Sequence, residues 1–413
     1  MNPDALRERR MRLDDAGQAL RARPKGESLD ALCRTLDAWS DPESRWRKRL
    51  AQQLPPATGF SPETVQEGLR IALAQWNGAA LRELVKQERC TETAGLGTTA
   101  LFLAGSIPMP SLVQMLAPLV VGAPVLAKSA ARDPVTPGLV AASIAEADPL
   151  LGECVAAVQF PGEDTACVGE LLACPCIVAT GSDETVAAIR DRVPAGAHLV
   201  EHGHRLSLAA LGTDVTRGNA LDDVAARLAL DIALWDQLGC LSPIAVYVVG
   251  EHAAAAVAEA LAEKLGALEA RMPRGSVDPA AANAFAQARA EAEMRAASGM
   301  VRLYADPADA WAVVLEPAAA LRPAPLHRFV RVFPVVDAAD VARAASPYAP
   351  HLAGIAAEGF ESESAALNTA LRALGAPRIC PPGTLQAPPL DWNRDGHGVL
   401  RSLTGSPTDT GAV

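Results

Sequence analysis

A chain of 413 residues exceeds the size at which one hydrophobic core stops growing, which points to two domains and leaves room for a small oligomerisation element. Half of it is hydrophobic but only 4% is aromatic, so Ala, Leu and Val must pack tight helix and sheet layers. A formal charge of -11 excludes a broad nucleic-acid surface and disfavours anionic membranes, so any anionic ligand needs a local basic pocket.

Residues 1–23 mix arginines with Asp4, Glu8, Asp14 and Asp15 and hold no apolar stretch, so no targeting peptide is expected there. From Leu6 to about Val85 the pattern is charged and helical, with Leu29, Leu32, Leu36 and Trp39 at helix spacing and breaks near Pro55 and Pro62. Residues 1–97 are thus expected to be a helical segment that packs on the domain following it. The apolar run 109–121 is interrupted by Pro110, Gln114 and Pro118, well short of the roughly 20 residues of a membrane span. Eight cysteines show no C-x-x-C unit and no histidines at zinc spacing, which predicts a reduced, cytoplasmic protein without a metal site.

Between residues 98 and 200, short apolar runs (100–104, 125–127, 155–160, 177–179 and 197–200) alternate with helical stretches, the pattern of a parallel α/β sheet. Residues 98–212 read as a Rossmann-like, dinucleotide-binding domain. In 221–238, Val224, Leu228, Ile232 and Trp235 share one helical face, with Asp222 or Asp223 near the start and Gly239 past the end. The β-branched run 244–249 reads as a buried strand, which leaves Cys240 in a short turn between helix and strand. The Ala-rich region 253–297, broken around 273–279, and the runs 311–315 and 329–336 complete a second α/β domain, taken as 213–376. Residues 377–413 are rich in proline and glycine, and the polar stretch 406–413 is expected to be disordered.

Several residues could carry chemistry. A thiol in a loop, as at Cys240, is exposed enough to attack a carbonyl, although a lone cysteine is more commonly a small buried hydrophobe. The turn at Gly181 and Ser182 follows a strand and opens a helix, where free N–H groups favour a diphosphate; ordinary capping by Ser182 explains it equally well. Lys128 and Ser129 end another strand candidate, and the lysine could hold ribose hydroxyls or phosphate, or simply be solvated. Glu201, beside His202 and Gly203, is a candidate general base. His202 and His204 lie two apart but have no further evident ligand.

Taken in order, these segments resemble the fatty acyl-CoA reductase family of bacterial bioluminescence systems, of the long-chain acyl-protein thioester reductase type, a branch of the aldehyde dehydrogenase superfamily. The resemblance runs from Gly105-Ser106-Ile107-Pro108 through Val125-Leu126-Ala127-Lys128-Ser129, Arg132-Asp133-Pro134 and Gly203-His204-Arg205 to Gln237-Leu238-Gly239-Cys240-Leu241-Ser242-Pro243. It continues in Arg328-Phe329-Val330-Arg331-Val332 and in Arg378-Ile379-Cys380-Pro381-Pro382-Gly383, with Gln386, Pro388-Pro389-Leu390, Asp391-Trp392 and Asp395-Gly396, and so covers roughly residues 100–400. It implies an α/β, aldehyde dehydrogenase-like fold of two α/β domains and assembly into a homo-oligomer. It also implies Cys240 as nucleophile, the Cys240 backbone N–H and Ser106 as oxyanion donors, and Lys128, Ser129, Gly181, Ser182 and Gly203 as cofactor-binding residues. Ser106 departs from the family pattern, which carries asparagine after the glycine, and this predicts a weaker oxyanion hole.

The chemistry so implied is reduction of an acyl-CoA or acyl-carrier thioester to an aldehyde through a thioacyl Cys240. NADPH is preferred over NADH because Ala131 and Arg132 follow Lys128 where an acidic residue would repel the extra phosphate. Two alternatives stand beside it. Glu201 falls where oxidative aldehyde dehydrogenases carry the base that activates water, which would reverse the direction of reaction. Ser106 motivates a non-catalytic binding partner inside a biosynthetic complex.

Overall fold

The computed structural model describes residues 1–90, 94–320, 322–360, 363–396 and 398–404. The stretch 406–413, expected to be disordered, lies outside them. The chain divides into two compact units, one built from Met1–Thr58, Ala72–His204 and the chain from Pro389, the other from Gly59–Ile71 and Arg205–Pro388.

The first unit holds a five-stranded parallel sheet: β1 (Thr99–Phe102), β2 (Val125–Lys128), β3 (Val155–Val158), β4 (Cys176–Thr180) and β5 (His198–His202), in the order β3-β2-β1-β4-β5. Strands β1 to β4 are buried almost throughout because helices cover them, which is why they read as apolar runs rather than alternating ones. Leu6 and Leu13 of the helix Pro3–Ala22 sit in one core cluster with Leu126, Ala156 and Val158, so the N-terminal helix packs on the sheet. Near the other end of the chain, the carboxylate of Glu88 accepts hydrogen bonds from the backbone N–H groups of Val399, Leu400 and Arg401 at 2.7–3.0 Å. The imidazole of His198 lies 2.7 Å from the Ser402 carbonyl.

The second unit holds a seven-stranded sheet of order β12-β11-β6-β7-β10-β9-β8. Its strands are β6 (Leu206–Leu211), β7 (Pro243–Val249), β8 (Arg302–Ala305), β9 (Ala312–Leu315), β10 (Phe329–Val335), β11 (Leu352–Glu358) and β12 (Ile379–Cys380). All neighbours are parallel except β8 and β9. Helices Gly218–Ala233 and Glu251–Arg271 flank β7 in sequence. Tyr247 and Phe333 stack with ring centroids 5.4 Å apart, a contact worth about 0.5–1.5 kcal/mol beyond the area it buries.

Two sequence expectations shift here. Strand β6 pairs with β7 and β11, so residues 205–212, read with the dinucleotide-binding domain, fall in the second unit, which Gly59–Ile71 and residues 377–388 also join. The helix expected over 221–238 starts at Gly218 and ends at Ala233. Trp235, Asp236 and Gln237 then adopt φ of 53°, 50° and 64°, a left-handed stretch that no α-helix continues. Apolar spacing extended the expected helix through Trp235, but that ring is buried for a different reason: it packs edge-on against Phe60 with centroids 5.4 Å apart.

Candidate active site

The sequence-derived residues fall into two groups, one in each unit. Those of the first unit share the carboxyl-terminal edge of the five-stranded sheet. Register places Phe102 beside Lys128 and Ala179, and Ala179 beside Glu201, so the loops bearing Ser106, Ser129, Gly181, Ser182 and Gly203 all leave the same edge. Here β1 and β4 are neighbours and the chain winds away in both directions, which is where open α/β sheets bind ligands.

Each residue on this edge has a distinct setting. The Lys128 ammonium lies 5.1 Å from the Phe160 ring centroid, and burial lowers its pKa against a smaller opposing attraction from Glu163. A half-buried cation of this kind is incompletely hydrated and well suited to a phosphate or ribose oxygen. Ser129 is buried, its N–H given to the Val158 carbonyl at 2.8 Å. Ser106 is exposed in the loop after β1. A Cβ on the preceding Gly105 would lie 2.7 Å from the Ala130 Cβ, so only glycine lets this loop lie against the one after β2.

The Gly181–Ser182 turn behaves as a satisfied helix start. The Gly181 N–H donates to the His202 carbonyl at 3.1 Å, and Ser182 accepts from the Thr185 N–H at 3.3 Å. Asp183 and Glu184 fill the first turn of the helix Asp183–Arg190, and Asp183 accepts the His204 N–H at 2.7 Å. These carboxylates already use the favourable end of the dipole. Two of the amides at this helix start, those of Gly181 and Thr185, are therefore engaged. Glu201 forms an ion pair with Arg190 at 2.6 Å. Among the described residues no group of three or more His, Cys, Asp or Glu side chains could hold a metal ion, and no helix is long and apolar enough to cross a membrane.

Cys240 belongs to the second unit, in the turn between the left-handed stretch and β7. Of the eight cysteines, six are buried; only Cys240 and Cys380 are partly exposed. Burial pushes the Cys154 and Cys176 thiols up to about 11 and Cys174 to about 12, and it also raises Cys380. A thiol so shifted supplies little thiolate near neutrality. Exposure and loop position together single out Cys240.

The turn around Cys240 is fixed by side chains that sequence reasoning missed. Gln237, buried, donates to the carbonyls of Pro243 at 2.8 Å and Phe329 at 3.1 Å and accepts the Phe329 N–H at 2.9 Å. It therefore ties the start of the turn to its end and to β10. Asp236 accepts from Gly275 N–H at 3.0 Å and from Arg328 at 2.8 Å, and Arg328 also reaches Glu269 at 2.7 Å and the Met272 carbonyl at 2.9 Å. Leu326, His327 and Arg328 form a second left-handed stretch, φ 58–69°. Left-handed non-glycine residues cost of order 1–3 kcal/mol each, so the two stretches persist because these bonds lock them to one another. Ser207 of β6 donates to the Cys240 carbonyl at 2.8 Å. A buried Asp–Gln pair directly ahead of a Gly-Cys turn was the available signal, since such groups must find partners.

The fold is that of the aldehyde dehydrogenases. The aldehyde dehydrogenase KauB from Pseudomonas aeruginosa superposes with a TM-score of 0.77 at 15% identity, covering 97% of this chain and 85% of that one. An NADP-dependent glyceraldehyde-3-phosphate dehydrogenase from Bacillus halodurans, solved with NADP, gives 0.72 at 13% identity over 94% and 83%. Within that class the chain belongs to the acyl-CoA reductase (LuxC) family, whose model matches residues 26–405. It is 23% identical over 333 residues to a long-chain acyl-protein thioester reductase from Vibrio harveyi, an alignment spanning 76% of this chain and 68% of that protein.

Proposed function

We propose that the protein reduces an acyl thioester, carried on coenzyme A or on a protein, to the aldehyde, with Cys240 as nucleophile and NADPH as the reductant. The observation that carries this reading is Cys240 itself: a partly exposed thiol on a turn held from both sides by buried polar groups, in a chain of the acyl-CoA reductase family. Fixing the turn lowers the entropic cost of bringing sulfur and acyl carbon together.

The thiolate of Cys240 forms a bond to the acyl carbon, and the departing thiol carries away the electron pair of the cleaved C–S bond. The Cys240 backbone N–H donates to the developing oxyanion, and the exposed hydroxyl of Ser106 is assigned as a further donor. When bound, the reduced nicotinamide supplies a hydride. Release of the aldehyde returns an electron pair to the Cys240 sulfur. The cofactor is assigned to the edge carrying Lys128, Ser129, Gly181, Ser182 and Gly203; Lys128 and exposed Arg132 supply positive charge for its phosphates.

Reduction is favoured over oxidation because the Glu201 carboxylate is committed to Arg190, and hydrolytic water would waste the thioester. The deciding experiment is a single-turnover assay with NADPH and a panel of acyl-CoA and acyl-protein thioesters, following nicotinamide absorbance and aldehyde. Aldehyde equal to enzyme from wild type, and none from Cys240→Ala, is expected. Aldehyde oxidation without thioester reduction would reverse the assigned direction, and equal biological activity of Cys240→Ala would make the protein a non-catalytic partner.

A further inference from the structure

Asp231, near the end of the helix Gly218–Ala233, is 1% exposed and sits on the apolar stripe that Val224 and Leu228 define. A carboxyl there is costly unless something needs it. Its Oδ2 accepts the Gly383 N–H at 2.6 Å, while Oδ1 is buried without a hydrogen bond. Gly383 has φ 85°, and a Cβ there would lie 2.9 Å from the Arg227 Cβ, so glycine alone brings the loop this close. Three residues on, Gln386 donates to the Asp231 carbonyl at 3.0 Å and to the Ser242 hydroxyl at 2.6 Å. Ser242 closes the nucleophile turn, its N–H given to the Gly239 carbonyl at 2.9 Å. One continuous path thus leads from the Asp231 carboxyl through residues 383–386 to the turn of Cys240.

We infer that Asp231 is a positioning residue for the Cys240 thiol: its carboxyl anchors the loop at Gly383, from which Gln386 holds Ser242 and so fixes the nucleophile turn. The inference rests on Cys240 being the reactive group. The path is sensitive to pH because burial raises the Asp231 carboxyl to about 7, with the Gly383 and Gln386 amides and then Arg378 opposing. The charged and titratable groups facing it are Arg378, just ahead of β12, and Cys380 at the end of β12. Arg378 gives its Nη2 to the carbonyls of Thr384 at 2.7 Å and Ala387 at 3.2 Å, while its buried Nε has no hydrogen bond. Together the helix and the loop hold one unpaired acceptor, Asp231 Oδ1, and one unpaired donor, Arg378 Nε, and ionisation of Asp231 changes the balance between them.

The test is site-resolved alkylation of Cys240 by iodoacetamide in the full chain from pH 5.5 to 9, with thermal melting in parallel. It uses no acyl substrate, so it stands apart from the thioester assay: aldehyde formation without Cys240 would defeat the functional reading, whereas the alkylation profile judges only the path. Asp231→Leu and Gln386→Leu should each change the Cys240 rate about tenfold, the equivalent of one net hydrogen bond. The double variant should change it no further, since both act on one path. Asp231→Asn, which keeps an acceptor for Gly383, should restore the wild-type rate while removing an inflection near neutral pH. Additive effects, or an unchanged rate in folded Asp231→Leu, would overturn the inference. Should Asp231→Leu fail to fold, the Asn variant decides: an inflection that persists refutes the role of Asp231.

Discussion

The edge of the five-stranded sheet and the turn bearing Cys240 position their side chains in opposite ways. On the sheet edge, backbone pairing does the positioning, and the side chains at the strand ends stay partly or wholly exposed, as with Lys128, Ser106 and Ser182. Around Cys240 the backbone is in an unfavourable left-handed region, and buried polar side chains from three distant segments, together with Gln237 of the stretch itself, hold it there. The proposed function accounts for the difference: an edge that takes a ligand tolerates open donors because the ligand completes them, whereas the turn of a nucleophile must be complete beforehand, so that no reorganisation is needed when the bond forms.

If the turn is the over-determined region, the largest effect should come from Arg328. Arg328→Ala leaves Asp236 and Glu269 without their partner and should cost about 3–5 kcal/mol, read as a fall in the denaturant midpoint. Next comes Asp231, through pH. An acid whose pKa is raised by folding contributes stability that is fully present below its unfolded value near 3.9 and lost as pH rises through about 7. Asp231→Asn cannot ionise, so its stability relative to wild type should increase across that window, by no more than about 4 kcal/mol. Equal pH dependence in denaturation experiments would break the assignment.

Gln237→Leu should be milder, about 1–3 kcal/mol, because it removes three hydrogen bonds to buried backbone while the Phe329 N–H keeps the Leu326 carbonyl; a parallel fall in Cys240 alkylation rate would show that these bonds hold the turn. The smallest structural effect is expected at the sheet edge. Lys128→Ala should leave melting and Cys240 alkylation within about twofold of wild type, yet weaken NADPH binding roughly tenfold, the loss of one charge-assisted contact. A Lys128→Ala protein that unfolds would erase the contrast between the two regions.

This contrast also explains what the sequence made legible. Strand ends in a parallel sheet are local features, so the apolar runs located β1 to β5 to within two residues at either end. The seven-stranded sheet was read only in part: β7, β9 and β10 are rich in β-branched residues, whereas β6 and β11 are mostly Ala, Leu and Gly, and β8 and β12 are short. The place of Cys240 in a turn ahead of β7 was legible through its neighbours in the chain. Its supports were not, since Gln237 meets Phe329, Asp236 meets Arg328 and Ser242 meets Gln386, separations that no local pattern reports. Asp231 carried a readable signal, a carboxylate on an apolar helical stripe, which spacing alone could not connect to Gly383.

The grip of Glu88 on the amides of residues 399–401 has a consequence for the newly made chain. The second unit has all of its residues once Pro388 has been synthesised, whereas the first must wait for a segment some 300 positions beyond Glu88. The five strands of the first unit are all made by residue 202, yet the Glu88 carboxylate waits for its three amides through the synthesis of the whole second unit. Contacts of such wide separation are slow to form, and the interval before they do is when the first unit is most exposed to aggregation.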